Sequence, residues 1–292
     1  MNVTLADNAG FCPGVKRADL AVKRLIDNNN GKIFTLGELI HNRLYNENLE
    51  KKGVLSTSID ELCEMLAKDP QSHVTLVIRT HGVTKAENEM LLSLAEKHPN
   101  FKLIDMTCAY VKRIHRIAEE NTNDNTVFLL YCDKNHPEAK GIISYAKGEK
   151  YMFSNLEELE TTDFGNKTPI LCSQTTQNQK EFKKIKNFFE KLYTNLIFFD
   201  TICSVTQIRQ DEAVLLSQKS DAMIVIGGKN SSNTKKLYDL CSQNCPVAIH
   251  IESAEELFSV KLPKDTKNIG ITAGASTPDD IILEVLKQWK KN

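Results

Sequence analysis

The apolar positions of the chain cluster in short runs, and between the runs apolar residues recur at helical spacing. Short apolar runs alternating with amphipathic stretches predict parallel βαβ units. One order of features occurs three times: an apolar strand, an Asp, a short turn with a cysteine, then an amphipathic helix. The first copy is Val3 to Asp7, Cys12 and a helix from Val15 to Ile26. The second is Phe101 to Asp105, Cys108 and a helix from Val111 to Ala118. The third is Leu196 to Asp200, Cys203 and a helix from Val205 to Leu216.

Each copy continues in the same way. A second strand leads to a polar loop: Lys32 to Leu36 before His41, Thr126 to Tyr131 before His136, and Ala222 to Ile226 before Ser231. A third strand does the same: Val74 to Ile78 before His81, Pro169 to Leu171 before Thr175, and Asn268 to Ile271 before Ser276. Self-similarity at a fixed period marks repeated structural units. Here the period is long enough for each unit to be a small domain. The expected domains are residues 13–107, 108–202, and 203–292 together with 1–12. Ser58, Thr84 and Ser253, each followed three residues later by Glu, read as capping boxes. Thr277-Pro278 reads as an N-cap before an N1 proline.

Ligands in parallel sheets bind beyond the carboxyl ends of the strands. All nine polar features follow strands, so three domains facing one axis would gather three cysteines and six polar loops in one cavity.

Composition narrows the chemistry. The chain has 292 residues, 41% of them hydrophobic, and a net charge of −1. It has no global basic field for nucleic acid and no apolar run near the ~20 residues that span a bilayer. The N-terminal segment has neither the basic nor the apolar stretch of a secretory signal. A cytoplasmic protein is expected. Its eight cysteines are therefore read as reduced, and they contain no C-x-x-C pair. Cys63, Cys172, Cys241 and Cys245 are read as small buried apolar residues.

Three thiolates converging at helix N-termini suit a soft metal centre, and the helix dipole favours the thiolate. Gly10 and Gly14 flank Cys12 and permit close backbone approach. A 4Fe–4S cluster with a full set of ligands takes four cysteines, so three leave one iron open. His41, His81 and His136 fit either a zinc site or an anion pocket. The pocket is favoured by Ser231-Ser232-Asn233 and Ser276 near helix starts, where hydroxyls and backbone N–H groups bind phosphate. Glu138 in the same cavity would have its pKa raised by desolvation, as suits a proton donor. Thr175 and Thr176 add hydroxyls.

Nine motifs now stand in order along the chain: Gly10-Phe11-Cys12-Pro13-Gly14-Val15, Ile40-His41-Asn42, His81-Gly82-Val83, Thr107-Cys108, His136-Pro137-Glu138, Gln174-Thr175-Thr176, Asp200-Thr201-Ile202-Cys203, Asn230-Ser231-Ser232-Asn233 and Thr272-Ala273-Gly274-Ala275-Ser276. With them the chain resembles the family of 4-hydroxy-3-methylbut-2-enyl diphosphate reductases, the LytB family. It departs from that pattern at Ala109, where proline often stands, and at Cys132, where glycine usually does.

The resemblance implies three α/β domains in a pseudo-threefold trefoil around a central cluster, with the first strand completing the third domain. It implies one 4Fe–4S cluster on Cys12, Cys108 and Cys203, whose open iron receives the substrate hydroxyl. It implies reductive dehydroxylation of an allylic diphosphate to isopentenyl and dimethylallyl diphosphates, the last step of the non-mevalonate pathway. The diphosphate falls to His41, His81, His136, Thr175, Thr176, Ser231, Ser232, Asn233 and Ser276. Glu138, helped by Thr175, delivers protons. An external donor such as ferredoxin or flavodoxin supplies electrons, and a monomer with no nucleic-acid or membrane partner is expected. The competing readings are a zinc phosphohydrolase and an iron–sulfur electron carrier or redox sensor.

Overall fold

Continuous apolar runs become central strands that are buried on both faces, and the computed structural model, which describes residues 2–28 and 31–289, contains three parallel sheets built around such strands. The first comprises β2 (Lys32–Leu36), β3 (Val54–Thr57), β4 (Val74–Ile78) and β5 (Phe101–Asp105), in the order β3-β2-β4-β5. The second comprises β6 (Thr126–Tyr131), β7 (Glu149–Phe153), β8 (Thr168–Ser173) and β9 (Ile197–Phe198), in the order β7-β6-β8-β9. The third comprises β10 (Ala222–Ile226), β11 (Val247–Ile251), β12 (Asn268–Ala273) and the N-terminal β1 (Asn2–Leu5), in the order β11-β10-β12-β1. Every strand pair is parallel. The repeat of cysteines is thus a repeat of fold.

Alternation along β6 shows how each sheet is sandwiched. Phe128 and Leu130 face Ile114 of α5 (Ala109–Asn121) and Ala139 and Ile142 of α6 (Pro137–Tyr145). Val127, Leu129 and Tyr131 face Phe182, Ile185 and Phe189 of α7 (Gln179–Leu192). In the third sheet, Ile224 and Ile226 meet Ile281, Ile282 and Val285 of α10 (Asp279–Trp289). Met223 and Val225 meet Ala213 of α8 (Ser204–Ser217) and Leu237 of α9 (Ser232–Asn244).

The chain divides into two compact units, one of residues 1–16, 40–47 and 203–292, the other of residues 17–39 and 48–202. The first unit holds the third sheet. The second holds the other two. The segment that carries His41 belongs with the third sheet.

Ser58 and Thr84 form the anticipated capping boxes, on α3 (Ile59–Lys68) and α4 (Lys85–Lys97). Ser58→Ala is expected to lower stability by about 1 kcal/mol without changing activity, which equilibrium denaturation of variant and wild type measures. Ser253 does not form one. It precedes a 3-10 turn, Glu255–Ser259, whose N-cap Ala254 makes no side-chain bond. Thr277 does not cap α10 either. Its hydroxyl donates to Ile226 O at 3.0 Å, and the helix begins at Asp279.

Candidate active site

Each candidate cysteine sits immediately before a helix because the strand ahead of it ends in a short turn. Cys12 precedes α1 (Pro13–Asp27), Cys108 is the N-cap of α5 and Cys203 the N-cap of α8. All three are half-buried, and none is in a disulfide. Cys12 Sγ accepts from Val15 N at 3.4 Å. Backbone bonds tie these turns to the neighbouring polar loops. Cys12 N donates to Ala275 O at 3.1 Å, beside Ser276, and Cys108 N donates to Thr80 O at 3.0 Å, beside His81.

The expected thiolate preference does not hold at Cys203. Burial pushes its thiol up, with the nearby Cys12 sulfur adding to the rise. The backbone N–H groups of Thr206 and Val205 only partly oppose them. Metal binding there must therefore displace a proton. Partial burial, the absence of disulfides at these three positions and soft sulfur donors fit an iron–sulfur group. Cys132, Cys172, Cys241 and Cys245 lie in apolar cores. The Cys132 thiol, at this departure from the family pattern, is fully buried and pushed up to about 12 by desolvation.

In the second unit, His136 is the N-cap of α6, and its Nδ1 accepts from Glu138 N at 3.1 Å. That bond leaves the ring proton on Nε2, the nitrogen able to donate to an anion. The His81 ring lies 5.2 Å from that of His136, nearly perpendicular to it. Glu138 is 2% exposed. Its Oε1 accepts from Thr175 N at 2.8 Å. Burial raises its pKa to about 7, against the hydrogen bonds from the Thr175 backbone and hydroxyl. The carboxyl is thus poised to hold and release a proton near neutrality. Gln174 belongs to one of the motifs but carries no role of its own in the sequence reading. Its Oε1 accepts from Asp133 N at 2.9 Å and so braces the turn leading to His136. Its place in the Gln174-Thr175-Thr176 motif, directly after β8, is the sequence signal that points to it. Thr176 is half-buried beside it.

In the first unit, Ser231 caps α9 through Thr234 N at 3.3 Å. Ser276 Oγ lies 3.4 Å from Ser231 Oγ and 3.3 Å from His41 O. Gly228 packs so tightly on the His41 carbonyl that a Cβ there would overlap it. Close backbone approach therefore requires glycine at this position. Ser232 and Asn233 are buried in the first turn of α9. Both polar atoms of the Asn233 amide lack a hydrogen-bond partner among the described residues. A buried amide left so is costly unless a polar ligand takes it up.

A model of the family described as LytB protein matches residues 3–290. The chain is 42% identical over 295 residues to the 4-hydroxy-3-methylbut-2-enyl diphosphate reductase of Campylobacter concisus, covering 100% of both. It is 40% identical over 291 residues to the protein of that name from Caldanaerobacter subterraneus, covering 99% of this chain and 97% of that one. Among solved structures it resembles (E)-4-hydroxy-3-methyl-but-2-enyl diphosphate reductase, the terminal enzyme of the non-mevalonate pathway, with a TM-score of 0.69 and 33% identity, over 100% of this chain and 99% of that one. It also resembles the E-1-hydroxy-2-methyl-but-2-enyl-4-diphosphate reductase of Plasmodium falciparum, with a TM-score of 0.85 and 25% identity, over 98% of this chain and 87% of that one. The chain belongs to the LytB protein family.

Proposed function

We propose that the chain is a 4-hydroxy-3-methylbut-2-enyl diphosphate reductase. It takes two electrons and two protons per turnover, releases the allylic hydroxyl as water and yields isopentenyl and dimethylallyl diphosphates. The reading is carried by Glu138, a buried carboxyl with a pKa of about 7 at the start of the helix capped by His136. Family membership over the whole chain supports it.

Cys12, Cys108 and Cys203 hold one 4Fe–4S cluster in this reading. The cluster, when bound, supplies the electrons and one iron with no protein ligand, Lewis-acidic toward the substrate hydroxyl. An external carrier of the ferredoxin or flavodoxin type would supply the two electrons. His41, His81 and His136, with Thr175, Thr176, Ser231, Ser232, Asn233 and Ser276, hold the diphosphate. Hydroxyls and imidazole N–H groups bind its oxygens, and the α9 N-terminus adds backbone donors. Glu138 holds a proton on its carboxyl while Thr175 fixes the orientation, and releases it toward the substrate.

Asn233→Ala is expected to raise KM by about 10-fold at little cost in thermal midpoint, because it removes hydrogen bonds to a charged ligand. Steady-state kinetics beside a melting curve measures both. Anaerobic purification tests the reading itself. A brown protein containing iron and sulfide is expected. A colourless protein with stoichiometric zinc would sink it.

A further inference from the structure

Each helix that follows one of the three cysteines carries an arginine about one turn on, and each arginine reaches the turn ahead of the next cysteine. Arg17, after Cys12, donates from Nη2 to Met106 O at 3.2 Å and Thr107 O at 2.8 Å, the two residues before Cys108. Arg113, after Cys108, donates from Nη1 to Asp200 O at 3.2 Å, in the turn before Cys203. Arg209, after Cys203, donates from Nε to Asn8 O and from Nη2 to Gly10 O, both at 2.7 Å, in the turn before Cys12. The contacts follow the order of the cysteines and return to the first. All of their acceptors are backbone carbonyls, so the bonds fix the path of the chain itself.

The three arginines differ in burial. Arg17 and Arg113 are exposed, whereas Arg209 is 3% exposed. Its Nη1 has no hydrogen-bond partner among the described residues. A buried guanidinium with a spare N–H is costly unless negative charge answers it. The acidic groups facing it are the Cys12 thiol, Glu212 and the Cys203 thiol. Glu212 is already engaged, accepting from Asp7 N at 2.6 Å and Asn8 N at 3.0 Å. That leaves the sulfur side as the destination for the spare N–H. Hydrogen bonds and positive charge beside such sulfurs favour the reduced state of an iron–sulfur group.

We propose that Arg17, Arg113 and Arg209 are positioning residues for the three cysteine ligands, each holding the turn that leads into the next cysteine, and that Arg209 also directs an N–H and a fixed charge at the sulfur-rich centre. The proposal rests on the cluster reading above. Iron release to a chelator and the midpoint potential of the anaerobically purified protein test it, both read without turnover. Arg209→Met is expected to release iron about 10-fold faster than wild type and to be reduced only at lower potential. Arg209→Lys keeps the charge but cannot make both carbonyl bonds, so faster release at a near-wild-type potential is expected. Arg17→Met and Arg113→Met, on the surface, are expected to speed release and leave the potential unchanged. Wild-type release and potential in Arg209→Met overturn the proposal. If that variant does not fold, Arg17→Met and Arg113→Met decide alone, and wild-type release from both overturns it. Wild-type protein that takes up no iron overturns the cluster reading instead.

Discussion

Replacing Glu138 by glutamine is expected to slow turnover by ~10²–10⁴ while leaving the iron content and KM near wild type, because it removes only the proton donor. Glutamine has the same shape, and its carbonyl oxygen can still accept from Thr175 N, as Oε1 does at 2.8 Å. Wild-type kcat is expected to fall as pH rises above about 7, as the carboxyl loses its proton. The variant should lack this limb. Stability carries the same signature. The folded-state pKa is raised from 4.5 to about 7, mainly by burial. The native state therefore binds the proton more tightly than the unfolded chain does. Its contribution is greatest below the unfolded value and is lost as pH climbs through the window to about 7. The loss amounts to roughly 3 kcal/mol. Glu138→Gln should escape it, so the variant gains on wild type between pH 5 and pH 8. Thermal midpoints at the two pH values measure the gain. A variant that keeps full kcat removes Glu138 from the chemistry.

Replacing any one of Cys12, Cys108 or Cys203 by serine is expected to cost the cluster and, with it, essentially all activity, since the softer sulfur ligand gives way to a hard hydroxyl. Cys132→Ala is the matched control. Cys132 is fully buried in the core between β6 and α5. That variant should keep its iron and lose only the stability of a small core truncation, about 1 kcal/mol. Iron and sulfide content of the four proteins, prepared under nitrogen, separates the two groups. Iron at wild-type level in any of the three serine variants would remove that cysteine from the ligand set.

The central strands were legible in the sequence because burial on both faces removes polar alternation. β6 and β10 are buried along their whole length. The edge strands β3, β7 and β11 were not named in advance. They are only partly covered, and polar residues such as Glu149 and Lys150 break their apolar signal. The strand expected from Leu196 to Phe199 shortens to Ile197–Phe198 at an exposed edge. Ser253 to Glu256 has the letters of a capping box but only five residues of 3-10 turn behind it. The hydroxyl of Thr277 is claimed by a carbonyl from another strand, a pairing local sequence does not encode.

At the candidate site, the places of His136 and Ser231 at helix starts were legible because the repeat puts each after an equivalent strand. The tilt of the Cys203 thiol away from the thiolate was not, because the helix dipole is a local feature and the burial that outweighs it is tertiary. The roles of Arg17, Arg113 and Arg209 were not legible either. In sequence they read as charged positions of amphipathic helices, and their carbonyl acceptors lie far along the chain.

The most direct measurement supplies a reduced viologen dye and (E)-4-hydroxy-3-methylbut-2-enyl diphosphate to the wild-type protein under nitrogen, and follows both the dye and the products. Two electrons should be drawn from the dye for each substrate consumed, with isopentenyl and dimethylallyl diphosphates appearing and no phosphate released. Dye that stays reduced over an intact cluster, or phosphate release in place of five-carbon diphosphates, would contradict the reductase reading.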